Sequence, residues 1–220
     1  MKIAGFKKQS LIDFPGNISS VVFTQGCNFR CGFCHNPELV LPEKFTSLYR
    51  ESDMFTYLNR FKSMLDAVCI TGGEPTVHND LPEFIERIKR LGLKVKLDSN
   101  GTNPAMIKSL INSGVVDFIA MDIKHLLIFE RYNDTVGGVM GSGMFDKVLM
   151  SVDFIANSGV DYEFRTTVVK GLHKKEDIVE LKRRFGVRYK INNFNLDVVL
   201  NTEKSYTPFS EKEIEQMRSW

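Results

Sequence analysis

The stretch Gln25–Cys34, QGCNFRCGFC, carries three of the chain's four cysteines, Cys27, Cys31 and Cys34, at CxxxCxxC spacing. Thiolates this close together usually serve a metal, and closed sites built from cysteine take four ligands. A zinc ribbon would therefore need another cysteine or histidine. Cys69 lies inside the apolar run AVCITGG, where a small buried residue suits a strand, and it is read as core filler. His35 directly follows Cys34, and neighbours in an extended segment point to opposite faces, so a shared tetrahedron is awkward. His78, His125 and His173 are scattered in presumed loops and are read as solvated. An iron–sulfur cube suits three thiolates better, because three cysteines leave one iron open to an outside ligand.

Further polar groups follow apolar runs. TGGEP, Thr71–Pro75, sets two glycines, which allow close approach to the backbone, before Glu74, whose charge suits an ammonium group. In LDSNG, Asp98, Ser99 and Asn100 are equally turn formers or ligands. Asp122 and Lys124 of MDIK alternate with apolar residues and share one face of a strand, where charges need partners or a ligand. A salt bridge between them is the plain alternative. Arg165 of YEFRTTVV holds a similar inward position.

The elements that must position these groups alternate. Runs at 19–26, 67–73, 93–101, 115–124, 160–169 and 188–196 read as strands, and segments near 53–65, 80–91, 104–113, 144–158 and 174–185 as helices. LPEFIERIKRLG shows Leu81, Phe84, Ile85, Ile88 and Leu91 at helical spacing before a terminating glycine. A βαβα succession implies parallel strands with right-handed crossovers, and six strands imply an open partial barrel or a doubly wound sheet. The polar strand ends then gather on the carboxyl side, where such folds bind ligands. TVGGVMGSG, 135–143, reads as a linker or a place where a partner comes close, and Ser210 with Glu213 forms a capping box opening a last helix.

Bulk properties agree. The 220 residues suit one domain, with 43% hydrophobic and 25% charged residues, as in folded globular proteins. The formal charge of +2 comes from 29 basic and 27 acidic side chains mixed along the chain, so nucleic acid is not an expected partner. No apolar run has membrane-span length and MKIAGFKKQSLIDFPG lacks a leader pattern, so a cytoplasmic location with free thiols is expected.

CxxxCxxC with the aromatic Phe33 before its last cysteine resembles the cluster motif of radical S-adenosylmethionine (SAM) enzymes, and TGGEP resembles their cofactor-binding segment. The resemblance implies a 4Fe-4S cluster on Cys27, Cys31 and Cys34, with Phe33 and His35 beside the cofactor. SAM itself fills the open iron through its methionine amine and carboxylate. Gly72, Gly73, Glu74 and Pro75 would meet its amino group. LDSNG resembles an element of glycyl radical activating enzymes that lies next to SAM, here Asp98, Ser99 and Asn100. By the same resemblance Asp122 and Lys124 lie near the SAM carboxylate, Asp98 and Asp122 hold a monovalent cation, and Arg165 contacts the carboxylate or ribose.

Narrower still, SLIDFPG, FTQGCNFRCGFCHNPELV, ITGGEPT, MDIK, DYEFRTTVV and YTPFSEKE together resemble the anaerobic ribonucleoside-triphosphate reductase activating proteins nearly end to end. That implies an α/β fold, a single radical SAM domain over 1–220 shaped as a partial (β/α)6 barrel, with a cluster loop at 26–36 and a C-terminal helix at about 210–220. The implied reaction is reductive cleavage of SAM to a 5′-deoxyadenosyl radical, which abstracts hydrogen from a glycine of a large glycyl radical enzyme. Flavodoxin or ferredoxin would supply the electron. HLLIFERYND after MDIK departs from the proline or small residue of many relatives and leaves the partner-facing shape open. Without a further cysteine-rich insert, an auxiliary cluster is not expected. The alternatives are a small-molecule radical SAM enzyme such as 7-carboxy-7-deazaguanine synthase, for which a different cluster spacing is expected, and a zinc-binding or electron-carrier module, in which TGGEP has no purpose.

Overall fold

A computed structural model of the chain describes residues 1–196, 198–201 and 205–219. In chain order its elements are β1 (Ile3–Ser10), β2 (Ser19–Thr24), α1 (Pro37–Val40), α2 (Glu51–Phe61), β3 (Ala67–Gly72), α3 (Leu81–Lys89), β4 (Lys94–Ser99), α4 (Pro104–Asn112), β5 (Phe118–Asp122), α5 (Phe129–Thr135), α6 (Ser142–Asn157), β6 (Asp161–Val168), α7 (Lys175–Phe185), β7 (Tyr189–Asn193) and α8 (Glu211–Ser219). The six expected strands are β2 to β7, all parallel. Seven strands form one sheet in strict sequence order. A doubly wound sheet reverses its order at a switch point. This one never does, so it winds one way as an open α/β partial barrel, with β1 and β7 as unjoined edges.

The sequence reading missed β1. IAGFKKQS has few β-branched residues, and its antiparallel pairing with β2 is interrupted by register shifts between Ile3 and Gly5 and between Lys7 and Ser10. Its outer edge is partly covered where Tyr49 N donates to Ile3 O at 2.8 Å and Phe6 meets the rings of Tyr49 and Tyr57.

Strand alternation sorts the rest. Val68, Ile70, Val95, Leu97, Ile119 and Met121 face the helices and are fully buried, together with Phe84, Ile85 and Ile88 of α3. Their neighbours in sequence, Cys69, Lys96, Asp98 and Asp122, face the barrel interior. Helix α3 ends at Lys89, and the turn that follows closes at Gly92, whose N donates to Lys89 O and whose φ of 82° few other residues adopt comfortably. The expected capping box is present: Ser210 N donates to Glu213 Oε2 at 2.9 Å and Glu213 N to Ser210 Oγ at 3.3 Å. The expected helix end at Trp220 lies outside the described residues. Among the described residues no helix is long and apolar enough to cross a membrane.

Ile85→Ala removes a fully buried side chain and is expected to cost about 2–5 kcal/mol in urea unfolding. Ile12→Ala, at a residue 84% exposed, is expected to stay within about 0.5 kcal/mol.

Candidate active site

The loop at 26–36 has no regular structure, yet Phe29, Cys31 and Phe33 are buried. Its alternate residues are held by four different neighbours. Gly26 N donates to Leu39 O at 2.7 Å, and Gly26 O accepts from Glu74 N at 2.8 Å. The Asn28 amide donates to Thr102 Oγ1 and accepts from Asn100 Nδ2, both at 2.8 Å. Arg30 N donates to Val136 O at 2.9 Å, while its guanidinium closes on the Cys27 and Phe29 carbonyls at 2.7 and 2.8 Å. Gly32 O accepts from Asn201 N at 2.9 Å. So held, Cys27, Cys31 and Cys34 line one cavity of about 210 Å³, together with Phe33, His35, Gly72, Gly73, Glu74, Asp98, Ser99, Asn100, Asp122, Lys124 and Arg165. Of the residues singled out in the sequence as a site, Pro75 does not line it; it opens a short 3₁₀ turn, Pro75–Val77.

Burial pushes the Cys27 thiol up to about 12 and the Cys31 thiol to about 11, and raises Cys34 as well. Without a bound cation these sulfurs stay protonated at neutral pH, so metal binding must release protons. Among the described residues no three Cys, His, Asp or Glu side chains converge closely enough to hold a single metal ion.

Opposite the sulfurs, charges alternate across three strands. Lys96 pairs with Asp98 Oδ1; Arg165 pairs with Asp98 Oδ2 at 3.2 Å and Asp122 Oδ1 at 3.1 Å; Lys124 pairs with Asp122 Oδ2 at 2.9 Å. Burial opposes ionisation of Asp122, but Lys124 and Arg165 outweigh it and hold the carboxyl down to about 2. Lys124 is raised because its pairing with Asp122 outweighs its burial. The two carboxylates expected to share a monovalent cation thus share the Arg165 guanidinium.

The glycines of TGGEP have a tighter purpose than ligand approach. A Cβ on Gly73 would lie 2.1 Å from Gly26 O, and one on Gly72, whose φ is 122°, 2.3 Å from Thr24 N. The cysteine loop and β2 fill that space. Glu74 is only 1% exposed, and its carboxylate accepts from Thr76 N, Thr76 Oγ1, Ser99 Oγ and Asn100 N at 3.1, 2.6, 2.8 and 2.6 Å. Burial raises its pKa against those donors. In this structure the carboxylate ties the strand end of β3 to that of β4.

Several residues sit differently from the sequence reading. Cys69 is buried but faces the polar interior, its Sγ 3.7 Å from Lys96 Nζ, and it is absent from the cavity lining. His125 and His173 are in loops but are 4% and 2% exposed rather than solvated. His35 lines the cavity and stacks on Phe194 at 5.2 Å. The 135–143 stretch ends α5 and opens α6, and Gly137 presses on the cysteine loop, where a Cβ would meet Arg30 O at 2.3 Å. Asn28 and Lys96 were missed; the period-two link of Lys96 to Asp98 was the available signal, whereas nothing local marks Asn28.

An open one-way α/β sheet brings the loop cysteines and the charged strand ends to one cavity. The radical SAM superfamily profile matches residues 21–185, and the chain belongs to the radical SAM superfamily. The matched domain is catalytic, and the protein is an enzyme of the oxidoreductase kind. A Methanocaldococcus jannaschii protein provisionally named a glycyl-radical enzyme activating enzyme is 33% identical over 183 residues, 82% of this chain and 74% of that one. The pyruvate formate-lyase-activating enzyme of Clostridium pasteurianum is 31% identical over 191 residues, again 82% and 74%. The SuiB structure of Streptococcus suis bound to S-adenosylmethionine shares the fold, with a TM-score of 0.69 at 18% identity over 90% of this chain; this chain spans 45% of SuiB.

Gly73→Ala is expected to push the cysteine loop off its seat, costing about 1–3 kcal/mol. Hydrogen exchange checks this: the Glu74 amide, which donates to Gly26 O, should lose protection while the amides of α3 keep theirs.

Proposed function

We propose that the protein is a radical SAM activase that takes a hydrogen from a glycine of a partner glycyl radical enzyme of the anaerobic ribonucleoside-triphosphate reductase type. One observation carries the reading: three cysteine side chains and the cationic strand ends open on the same cavity. A trio that lines a wall without converging on one ion suits a cluster better than a zinc. Cys27, Cys31 and Cys34 would hold a 4Fe-4S cluster, and Lys124 and Arg165 would face the carboxylate of SAM. When bound, the cluster supplies the electron for reductive cleavage of SAM, with flavodoxin or ferredoxin as donor class.

The chain's own residues supply the rest. Phe29 and Phe33, both buried, keep water from the sulfurs. Glu74 holds Ser99 and Asn100 against the cavity. A monovalent cation at Asp98 and Asp122 would have to displace Arg165 from between them. Edges β1 and β7 are not joined to each other, and a partner's glycine loop would enter between them. The names of the two relatives support an activase, and the match over most of their lengths supports the same task here.

The test is anoxic reconstitution with iron and sulfide, reduction, and addition of SAM with and without a candidate reductase. 5′-Deoxyadenosine together with a glycyl radical signal in the partner is expected. Cleavage with no partner radical favours a small-molecule substrate, and no cleavage by a fully loaded protein overturns the enzyme reading. Cys31→Ala should abolish iron loading while Cys69→Ala keeps it; equal loss in both would place Cys69 among the ligands.

A further inference from the structure

His125, just after β5, and His173, just after β6, stack with ring centroids 5.0 Å apart and planes 20° apart, both buried. Each ring accepts a backbone N–H at Nδ1, His125 from Leu126 at 2.7 Å and His173 from Val169 at 3.1 Å. A ring nitrogen that accepts carries no proton, so each neutral ring holds its proton on Nε2. Both Nε2 groups then donate across the strand boundary: His125 to Leu172 O at 3.2 Å and His173 to Lys124 O at 2.8 Å. Each loop thus holds the other through its own histidine.

The surroundings keep both rings neutral. Burial, and then the neighbouring His125, push His173 down to about 4, and burial lowers His125. Asp177 Oδ2 lies 3.8 Å from His125 Nε2, but this carboxylate already accepts from Arg131 at 2.7 Å and from Lys174 N at 2.9 Å. Regular pairing of β5 with β6 ends at Asp122 and Arg165; Ile123 N still donates to Arg165 O and Thr166 Oγ1 to Ile123 O, each at 2.7 Å. The histidines take over at the next residue, so the backbone is pinned on both sides of Lys124.

We propose that the His125–His173 pair is a positioning clasp for Lys124, holding its ammonium against Asp122 and toward the cysteine loop. The importance of Lys124 rests on the function proposed above, but its placement does not, so the test needs no cofactor. Lysine amines of the full-length chain are trace-labelled by reductive methylation and quantified residue by residue by mass spectrometry. Lys124 should label about tenfold more slowly than the exposed Lys62. His173→Phe keeps a stacked ring but loses both hydrogen bonds, and should raise labelling of Lys124 several-fold while Lys96 stays protected. His173→Gln, whose amide can reach the same carbonyl, should restore slow labelling. Unchanged Lys124 labelling in His173→Phe, or an equal rise at Lys96, overturns the proposal. Should His173→Phe fail to fold, imidazole nitrogen NMR of the unaltered chain at about pH 6 decides: two neutral Nε2–H rings are expected, and a Nδ1–H or charged ring overturns it.

Discussion

A loop without secondary structure is half-buried against the strand ends, and its covered backbone groups need partners that are not their own neighbours. The structure meets that requirement by bringing four separate segments to alternate residues of the cysteine loop: the end of β3 at Gly26, the end of β4 at Asn28, the turn after α5 at Arg30, and the segment before α8 at Gly32. The cysteines fall between these anchors. Their positions therefore depend on residues up to 170 positions away in sequence, and the glycines at 73 and 137 are small because loop backbone lies against them.

The second constraint is electrostatic. A sheet that buries one face against helices can place ionised groups only on the other, and here that face carries Lys96, Asp98, Asp122, Lys124 and Arg165. Isolated, each would be costly to bury; linked in alternation, each satisfies its neighbours. Asp98 and Asp122 are each shared by two cations, and Glu163 lies 3.9 Å from Arg165, so three cations and three carboxylates balance along the row. The histidine clasp lies at the end of this row, joining β5 and β6 just where their ladder stops and where Lys124 begins the loop.

Much of this was legible in local pattern. The six parallel strands and the five long helices between them follow from β-branched runs and from apolar residues at helical spacing, because those periods report which face is buried. The cysteine loop, TGGEP, LDSNG and MDIK were readable as site segments since each puts polar or ligating residues directly after a strand. What failed was whatever depended on a distant partner. His125 and His173 looked like ordinary loop histidines because neither has a local reason to be buried; each stacks on the other and bonds to the other's loop. β1 lacked a β-branched run because edge pairing with bulges tolerates glycine and lysine. Glu74 looked free to meet an amine until Ser99 and Asn100 were seen to occupy it.

The sequence by itself determined the residue types, their spacing and the alternation that puts them at strand ends, and hence the superfamily chemistry they are suited to. Tertiary structure alone decided which of them meet. Periodicity specifies the face on which a side chain lies, but the distance between two faces depends on how the sheet curves and on which loops cross. The division of labour at Glu74, the guanidinium between two aspartates and the paired imidazoles beside Lys124 all arise from that closure, which brings together groups separated by 25 to 67 residues of chain.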